Sequence, residues 1–311
     1  MVIEYRSFPD MNEAILRNLH RLPRDIDLVV GIPRSGMLPA NLIALYLNKP
    51  YVDIDSYVEG RIYTSGDRGQ SVSLKDVRKV LIMDDSIAYG RTKEKVLQKL
   101  NTIKSGNRKE YVYGVVYASR EGKEKVDFYC EIVEGTRAFQ WNLFHHQTII
   151  PHSCFDIDGV LCPDPTVDDD GPLYTAYIAS APILHKPSVE IDTIVTTRLE
   201  KYRDVTEGWL RSHGIKYKRL VMLDMPTKEE RTRWGKHGIF KGEIYRDSDC
   251  YLFVESSLLQ AEDIVRISHK PVFCIETFSM INDEQALRKE HVHQKWESAK
   301  FVIKKILRWK R

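Results

Sequence analysis

Short apolar runs alternate with amphipathic helical patterns along the chain of 311 residues. This alternation is typical of parallel strands joined by crossover helices, and in the first half it predicts, among other elements, a strand at 79–83 and helices at 10–20 and 37–47. Two of the apolar runs end in paired acids, because Asp84 and Asp85 follow one run and Asp156 and Asp158 follow another. Ligands of open α/β sheets bind at the carboxyl ends of the strands. The sequence therefore predicts an α/β fold class with two doubly wound domains, each carrying an acidic site at its sheet edge.

The composition supports two ordinary globular domains and excludes other classes of protein. Hydrophobic residues make up 42% and charged residues 29% of the chain, as in soluble domains with sizeable cores. Lys and Arg exceed Asp and Glu by 47 to 44, a net charge of +3, whereas a nucleic-acid-binding protein would show a strong basic footprint. No apolar run approaches the roughly 18 residues that span a bilayer. We therefore expect no nucleic-acid partner and no membrane span.

The join between the two domains is predicted near Pro151, where an uncharged stretch ends and a new strand begins. This divides the chain into residues 1–149 and residues 150–311. The five cysteines are widely spaced and form no CxxC pair. A disulfide framework or a structural zinc site is therefore not expected, and a reducing cytoplasm is the predicted location.

The C-terminal segment 295–311 contains seven basic residues, one acid and apolar residues at helical spacing. Such an amphipathic helix can dock its apolar stripe on a globular core. It can instead lie on an anionic membrane surface. Docking is the favoured interpretation, and peripheral contact with the inner face of the membrane is the alternative.

The first acidic segment combines two carboxylates with a loop of mostly small residues and the start of a helix. It reads Asp84-Asp85-Ser86-Ile87-Ala88-Tyr89-Gly90-Arg91-Thr92. Loop N–H groups and a helix N-terminus form a concave site with positive potential that suits a phosphate. Paired carboxylates can accept hydrogen bonds from the vicinal hydroxyls of a ribose. For the acids and serine alone, a turn or a helix cap is an equally good interpretation.

The complete string resembles the phosphoribosyl pyrophosphate motif of type I phosphoribosyltransferases. On that resemblance, the two aspartates hold the ribose hydroxyls and the following loop surrounds the 5-phosphate. Residues 32–36 occupy the place of the family's pyrophosphate loop, and residues 56–73 that of its mobile loop, for which an exposed hairpin is the alternative. The resemblance implies Mg²⁺ as cofactor and phosphoribosyl pyrophosphate as donor. The implied substrate-binding residues are Arg34, Ser35, Gly36, Asp84, Asp85, Ser86, Ala88, Tyr89, Gly90, Arg91 and Thr92.

Acceptor recognition in this family lies in additions at either end of the domain, here residues 1–24 and 135–146. The second of these segments contains Phe139, Trp141 and Phe144. Aromatic side chains suit the face of a base or a sugar. They suit a domain interface equally well, and both interpretations stay open.

The second acidic segment reads Cys154-Phe155-Asp156-Ile157-Asp158-Gly159-Val160-Leu161. Strand alternation puts Asp156 and Asp158 on the same side. One carboxylate can then attack phosphorus while the other supplies and recovers a proton. A D-x-D by itself could be a surface pair, but the complete string resembles motif one of the haloacid dehalogenase superfamily.

The remaining motifs of that superfamily have candidates in the expected order. Thr196 is expected to donate a hydrogen bond to the phosphate, with Thr197 as the alternative. Lys241 is expected to offset the phosphate charge, with Lys236 as the alternative. Together with the two aspartates of motif one, the predicted catalytic set is Asp156, Asp158, Thr196 and Lys241.

The predicted metal set departs from the superfamily in one residue. Glu255 stands where the superfamily often has two aspartates. The implied Mg²⁺ ligands are the Asp156 carboxylate, the Asp158 backbone carbonyl and Glu255, which are all hard oxygen donors. The short gap between Asp158 and Thr196 predicts a HAD-like Rossmannoid fold with little or no cap, and residues 162–180 are predicted to be a surface insert.

The fusion of the two predicted activities narrows the function. It resembles the dual-domain ribofuranosyltransferases of bacterial surface-polysaccharide and O-antigen synthesis. This resemblance implies transfer of 5-phosphoribosyl to a glycan acceptor, expected to be lipid-linked, followed by hydrolysis of the 5-phosphate through an aspartyl-phosphate intermediate. One alternative is a nucleobase phosphoribosyltransferase fused to a 5′-nucleotidase. Another is a regulator whose phosphoribosyltransferase fold only senses a ligand.

Overall fold

The computed structural model describes residues 3–63, 73–103, 109–167 and 170–283. The chain divides into two compact units, Met1–Trp141 and Asn142–Arg311. The predicted boundary at 149/150 lies eight residues further along, and the extents of the two domains stay a prediction. The predicted C-terminal helix at 295–311 and most of the predicted mobile loop lie outside the described residues. None of the described helices is long and apolar enough to cross a membrane.

The first unit is a five-stranded parallel sheet with helices on both faces and a separate pair of strands. The sheet has the order β3-β2-β4-β5-β6, and the strands β1 and β7 pair with each other in parallel. The elements are β1 (Ile3–Arg6), α1 (Phe8–Asn18), β2 (Leu28–Gly31), α2 (Met37–Leu47), β3 (Tyr51–Asp53), α3 (Ile54–Val58), β4 (Lys79–Ile87), α4 (Arg91–Leu100), β5 (Glu110–Ala118), β6 (Phe128–Ile132) and β7 (Thr136–Phe139).

Alternating residues of the central strands build two apolar layers in this unit. Val29 and Leu81 face a layer with α1 and α2, whereas Val30 and Ile82 face a layer with α3 and α4. The buried runs of β2 and β4 are therefore apolar on both faces, as expected for a parallel sheet covered by helices. The α/β architecture of the first unit agrees with the sequence prediction.

Two predicted boundaries in the first unit need correction. The strand predicted at 79–83 continues to Ile87, because β4 keeps its pairing with β5 up to Ala118. Asp84 and Asp85 therefore lie within the strand and not after it. The helix predicted at 10–20 begins two residues earlier, because Ser7 and Asp10 form a capping box around its first turn.

The second unit is also a helix-covered sheet, with the order β10-β9-β8-β11-β12-β13. Its first five strands are parallel, and β13 closes the edge in antiparallel orientation. The elements are β8 (Ser153–Phe155), α5 (Pro172–Ser180), β9 (Ile191–Leu199), α6 (Arg203–Ser212), β10 (Tyr217–Leu223), α7 (Lys228–Trp234), α8 (His237–Arg246), β11 (Leu252–Glu255), α9 (Leu258–Ser268), β12 (Val272–Cys274) and β13 (Ser279–Ile281).

The segment predicted as a surface insert at 162–180 ends in the packed helix α5. Tyr174 and Ile178 of this helix are buried. Just after it, the indole N–H of Trp209 in α6 donates to the carbonyl of Ala181 at 2.7 Å. The prediction of a plain surface loop was wrong for this part, because Tyr174 and Ile178 lie four residues apart on one side of α5 and pack into the core.

Candidate active sites

The acidic pair of the first unit lies near the carboxyl end of the central strand β4. Asp84 and Asp85 are both 8% exposed. One oxygen of Asp84 accepts the backbone N–H of Asp85 at 2.9 Å. Burial, followed by the negative charge of Asp85, raises the pKa of Asp84 to about 8. Among the described residues, neither carboxylate takes part in a salt bridge.

A cavity of about 230 Å³ lies next to this pair, at the N-terminus of α4. Gly90 has a positive φ of 85° that lets the chain turn sharply into the helix. The first N–H groups of a helix have no partner within the helix, and they attract anions. The structure thus brings the predicted phosphate loop and the acidic pair together. The lining residues are Asp84, Ser86, Ile87, Ala88, Tyr89, Gly90, Arg91, Thr92, Lys93 and Tyr113.

The predicted pyrophosphate loop touches the acidic pair through Gly36. A Cβ atom on Gly36 would lie 2.8 Å from Oδ1 of Asp84 and 2.7 Å from the carbonyl oxygen of Ile32. Only glycine fits where two backbones approach this closely. The loop also contains a cis peptide bond between Pro33 and Arg34, and the side chain of Arg34 is exposed.

An aromatic stack reaches the same carboxylates. Trp141 stacks on Phe139 with ring centroids 4.6 Å apart and contacts Phe8 at 5.6 Å. Its indole N–H donates to Oδ2 of Asp85 at 3.2 Å. Trp141 was predicted only as an aromatic residue. Its bond to Asp85 joins residues 56 positions apart in the sequence, so no local pattern predicts it. Phe144 lies elsewhere, because it packs in the second unit.

The structure brings three predicted residues of the second unit into one buried cluster. The ammonium group of Lys241 lies 2.6 Å from Oδ2 of Asp156 and 2.7 Å from Oε2 of Glu255, and it also donates to Gln260 at 2.8 Å. Lys241 is 1% exposed, whereas Lys236 is exposed at the start of α8. The geometry therefore favours Lys241 over Lys236.

The charged groups of this cluster shift one another's pKa values. Although burial disfavours its charged form, the carboxylates of Asp156 and Glu255 raise the pKa of Lys241. Burial raises the pKa of Asp156, and Lys241 opposes this rise while Glu255 and Asp158 add to it. Two carboxylates thus share one cation, and the cluster stabilises the charged lysine.

Asp158 is held by an arginine that sequence analysis did not select. The guanidinium group of Arg198 donates to both carboxylate oxygens of Asp158, at 2.6 and 3.0 Å. Arg198 is 1% exposed, and its Nη1 has no hydrogen-bond partner among the described residues. The carboxylate is therefore fixed in orientation. The only sequence signal was the position of Arg198 two residues after Thr196.

The two candidate threonines lie on either side of strand β9. Thr196 is 1% exposed, and its hydroxyl accepts the N–H of Arg198 at 3.3 Å. Thr197 is partly exposed, and its carbonyl accepts a bond from Arg231 at 3.1 Å. The role of Thr196 stays a prediction.

The carboxylate oxygens of Glu255 in the second site already have hydrogen-bond partners. Both oxygens of Glu255 are engaged, one by Lys241 and the other by the N–H groups of Ser256 and Ser257. Among the described residues, no group of three or more His, Cys, Asp or Glu side chains is arranged to hold a metal ion. Glu255 is thus placed as the partner of Lys241, and the predicted metal set of Asp156, the Asp158 carbonyl and Glu255 stays a prediction.

The oxygens of the first site do fit a hard cation. Two adjacent carboxylates lie together there without a salt bridge among the described side chains, and Arg137 acts on Asp85 only at longer range. Hard oxygen ligands of this kind suit Mg²⁺. The fit agrees with the cofactor that the resemblance implies for the first unit.

Comparison with known proteins finds similarity to the first half of the chain. Three solved structures resemble it. A purine phosphoribosyltransferase from Pyrococcus horikoshii is 23% identical over 45% of this chain and 94% of that one, with a TM-score of 0.34. The xanthine-guanine-hypoxanthine phosphoribosyltransferase of Helicobacter pylori is 14% identical over 46% and 93%, with a TM-score of 0.35. Leishmania donovani UMP synthase is 21% identical over 44% and 29%, with a TM-score of 0.28.

No curated protein matches the chain. The family model of the phosphoribosyl transferase domain matches residues 6–150. These residues include the acidic pair, the predicted phosphate loop and the predicted pyrophosphate loop at 32–36. Residues 6–150 of the chain are therefore similar in sequence to phosphoribosyl transferase domains.

Proposed function

We propose that the chain is a bifunctional enzyme that installs a ribofuranose on a glycan acceptor. The first unit transfers 5-phosphoribosyl from phosphoribosyl pyrophosphate, and the second unit hydrolyses the 5-phosphate. The observation that carries this proposal is the buried cluster of Asp156, Lys241 and Glu255 beside Asp158, in the same chain as a phosphoribosyl transferase domain. Such a cluster suits phosphate chemistry.

In the transfer step, Asp84 and Asp85 accept hydrogen bonds from the ribose hydroxyls. The loop before α4 binds the 5-phosphate through backbone N–H groups. The acceptor hydroxyl oxygen bonds to the anomeric carbon while the bond to the pyrophosphate oxygen breaks, and the hydroxyl proton passes to the leaving pyrophosphate or to solvent. Inversion at the α-linked donor gives a β-ribofuranoside. Mg²⁺, when bound with the donor and the two aspartates, neutralises charge on the leaving pyrophosphate.

In the hydrolysis step, the Asp156 carboxylate bonds to phosphorus as the ester bond breaks. Asp158 enters this step in its protonated form, donates that proton to the leaving oxygen and then takes a proton from the water that attacks the aspartyl phosphate. Lys241 offsets the phosphate charge, and Arg198 keeps Asp158 in position. The products are inorganic phosphate and the ribofuranoside, and both aspartates return to their starting states.

A second candidate acceptor is a nucleobase, which would make the second unit a 5′-nucleotidase. The observation in its favour is the aromatic face of Trp141 and Phe8 next to Asp85, because such a face can stack on a base. The two acceptors differ in the mass of their products.

The test uses the full chain with phosphoribosyl pyrophosphate, Mg²⁺ and either free bases or a panel of glycans, followed by mass spectrometry. The wild type is expected to add a pentose to a glycan, and Asp156→Asn is expected to leave a phosphopentose there. Formation of nucleoside monophosphates without a glycan product would overturn the glycan assignment in favour of the nucleobase.

A matched pair of variants separates the two activities. Asp85→Asn is expected to abolish pyrophosphate release and to retain hydrolysis of an added phosphomonoester. Asp156→Asn is expected to do the reverse. If either single variant abolished both activities while the protein remained folded, the assignment of one activity to each unit would be wrong.

A further inference from the structure

The second unit contains a cavity that no step above uses. Its volume is about 410 Å³, within the range of roughly 300–1,000 Å³ that ligand pockets have. It lies between the segment that follows the acidic motif, the end of β9 and the start of α7. The lining residues used below are Asp164, Thr166, Val167, Tyr174, Tyr202 and Arg231.

The frame of this cavity is tied together by one carboxylate. Asp170 accepts hydrogen bonds from the Lys201 ammonium at 2.8 Å, the Tyr202 hydroxyl at 2.9 Å and the backbone N–H of Lys228 at 2.9 Å. These bonds join three separate elements of the unit. The cavity is therefore a preformed feature of the fold rather than a gap under a loose loop.

One wall of the cavity, Asp164, lies next to the acidic motif. Partial burial and the charges of Asp158 and Glu255 raise the pKa of Asp164 on its wall. A Cβ atom on Gly159 would lie 3.1 Å from Oδ2 of Asp164. Tyr174, on another wall, feels the charges of Asp158 and of Arg231. This cavity is therefore a neighbouring space in which the organic part of a phosphomonoester bound at Asp156 can lie.

The walls offer the groups that recognise a polyhydroxylated ring. Tyr174 and Tyr202 meet edge to face, with centroids 4.9 Å apart and planes at 79°, which forms an apolar corner for C–H faces. Asp164 supplies acceptor oxygens for hydroxyl groups. The Nε of Arg231 is buried and has no hydrogen-bond partner among the described residues. A buried donor of this kind is costly unless an acceptor reaches it.

We propose that this cavity binds the sugar ring that is linked to the ribofuranose 5-phosphate. The inference rests on the proposed function, and it adds the place where the second unit binds the acceptor sugar next to the ribofuranose 5-phosphate. The two tyrosines that line the cavity meet at 79° and so do not form the pair of parallel faces that sandwiches a flat base. A sugar ring therefore fits better than a nucleobase.

The experiment compares four substrates on the full chain: a synthetic β-ribofuranosyl hexoside 5-phosphate, ribose 5-phosphate, AMP and acetyl phosphate. Wild type is expected to favour the hexoside phosphate over ribose 5-phosphate by about tenfold or more in kcat/KM, the size of effect that a filled subsite gives. Equal values for the two, or a preference for AMP, would overturn the proposal.

Thr166→Trp fills the cavity, and Ala179→Trp is its matched control on an exposed position of α5 outside the lining. Thr166→Trp is expected to reduce the hexoside preference about tenfold, and Ala179→Trp is expected to keep it. Arg231→Met, which removes the unpartnered donor, is expected to act in the same direction. A preference that survives both Thr166→Trp and Arg231→Met would overturn the proposal.

Acetyl phosphate separates failure of the subsite from failure of the proposed function. Its hydrolysis, lost in Asp156→Asn, tests the phosphatase without using the cavity. If wild type hydrolyses none of the four substrates, the proposed function fails, and calorimetric binding of the hexoside phosphate still decides on the cavity. Binding lost in Thr166→Trp and kept in Ala179→Trp would support the subsite, and no binding to wild type would overturn it.

Discussion

The two units place buried carboxylates at the same position in their sheets but balance the charge differently. In the second unit, Lys241 contacts both Asp156 and Glu255, and Arg198 holds Asp158. In the first unit, Asp84 and Asp85 lie side by side with no salt bridge to any described residue, and the pKa of Asp84 is raised to about 8. The second site therefore contains cations in direct contact with its carboxylates, whereas Arg137 acts on the first site without forming an ion pair.

The largest expected effect is on the activity of the second unit. Asp158→Asn removes the acid–base group and one side of the Arg198 ion pair. We expect hydrolysis of acetyl phosphate to fall by about 10²–10⁴-fold, while pyrophosphate release by the first unit is retained. Steady-state rates of both reactions measure this. Full phosphatase activity in the variant would remove Asp158 from the mechanism.

The next effect tests the internal cation of the second unit. Lys241→Met leaves Asp156 and Glu255 buried without a partner, and breaking such a buried cluster typically costs about 3–5 kcal/mol. Denaturant unfolding of the second unit measures the free energy. Lys236→Met, at an exposed position, is the matched control and should change it by less than about 0.5 kcal/mol. Equal effects of the two variants would contradict the comparison.

In the first unit, removing a buried charge is expected to stabilise the protein instead of destabilising it. Because the folded pKa of Asp84 is above the unfolded value, the unfolded chain ionises first as pH rises, and stability is lost between pH 4 and about pH 8. Asp84→Asn should therefore stabilise the unit by about 1–3 kcal/mol at pH 8 and have little effect at pH 3. It should also abolish donor binding.

Thermal unfolding at a series of pH values measures this difference. Asp76→Asn, at an exposed position, provides the control. If Asp84→Asn were less stable than wild type at pH 8, the acidic pair would have a partner that the described structure lacks.

The smallest expected effect concerns the link from the aromatic stack to the acidic pair. Trp141→Phe keeps a ring but removes the N–H that donates to Asp85. Loss of one such bond to a charged group is worth about 1.5–3 kcal/mol at most, and less where water replaces it. We expect a three- to tenfold rise in KM for the donor, that is about 1 kcal/mol. Trp234→Phe in the second unit serves as the control. A change in the acceptor KM alone would assign Trp141 to acceptor binding.

Local patterns predicted the order of the central strands and helices well, and α2 was predicted with its observed limits, 37–47. The pairing of β1 with β7 was missed. Ile3 pairs with Thr136, and a local sequence pattern does not reveal a pairing between residues so far apart in the sequence. The acidic strings placed both sites at the sheet edges. The partners Trp141 and Arg198 were missed as contacts for the same physical reason, since tertiary packing alone brings them to Asp85 and Asp158.

The pairing of β1 with β7 has a consequence for the order in which the chain folds during synthesis. Domains fold as they leave the ribosome, N-terminal parts first. Strand β1 is made first, but its partner residues 136–139 are the last strand of the first unit. Trp141, the donor to Asp85, follows two residues later. A nascent chain therefore exposes an unpaired first strand until the whole unit has emerged. The hydrogen bond from Trp141 to the acidic pair also forms only at that moment.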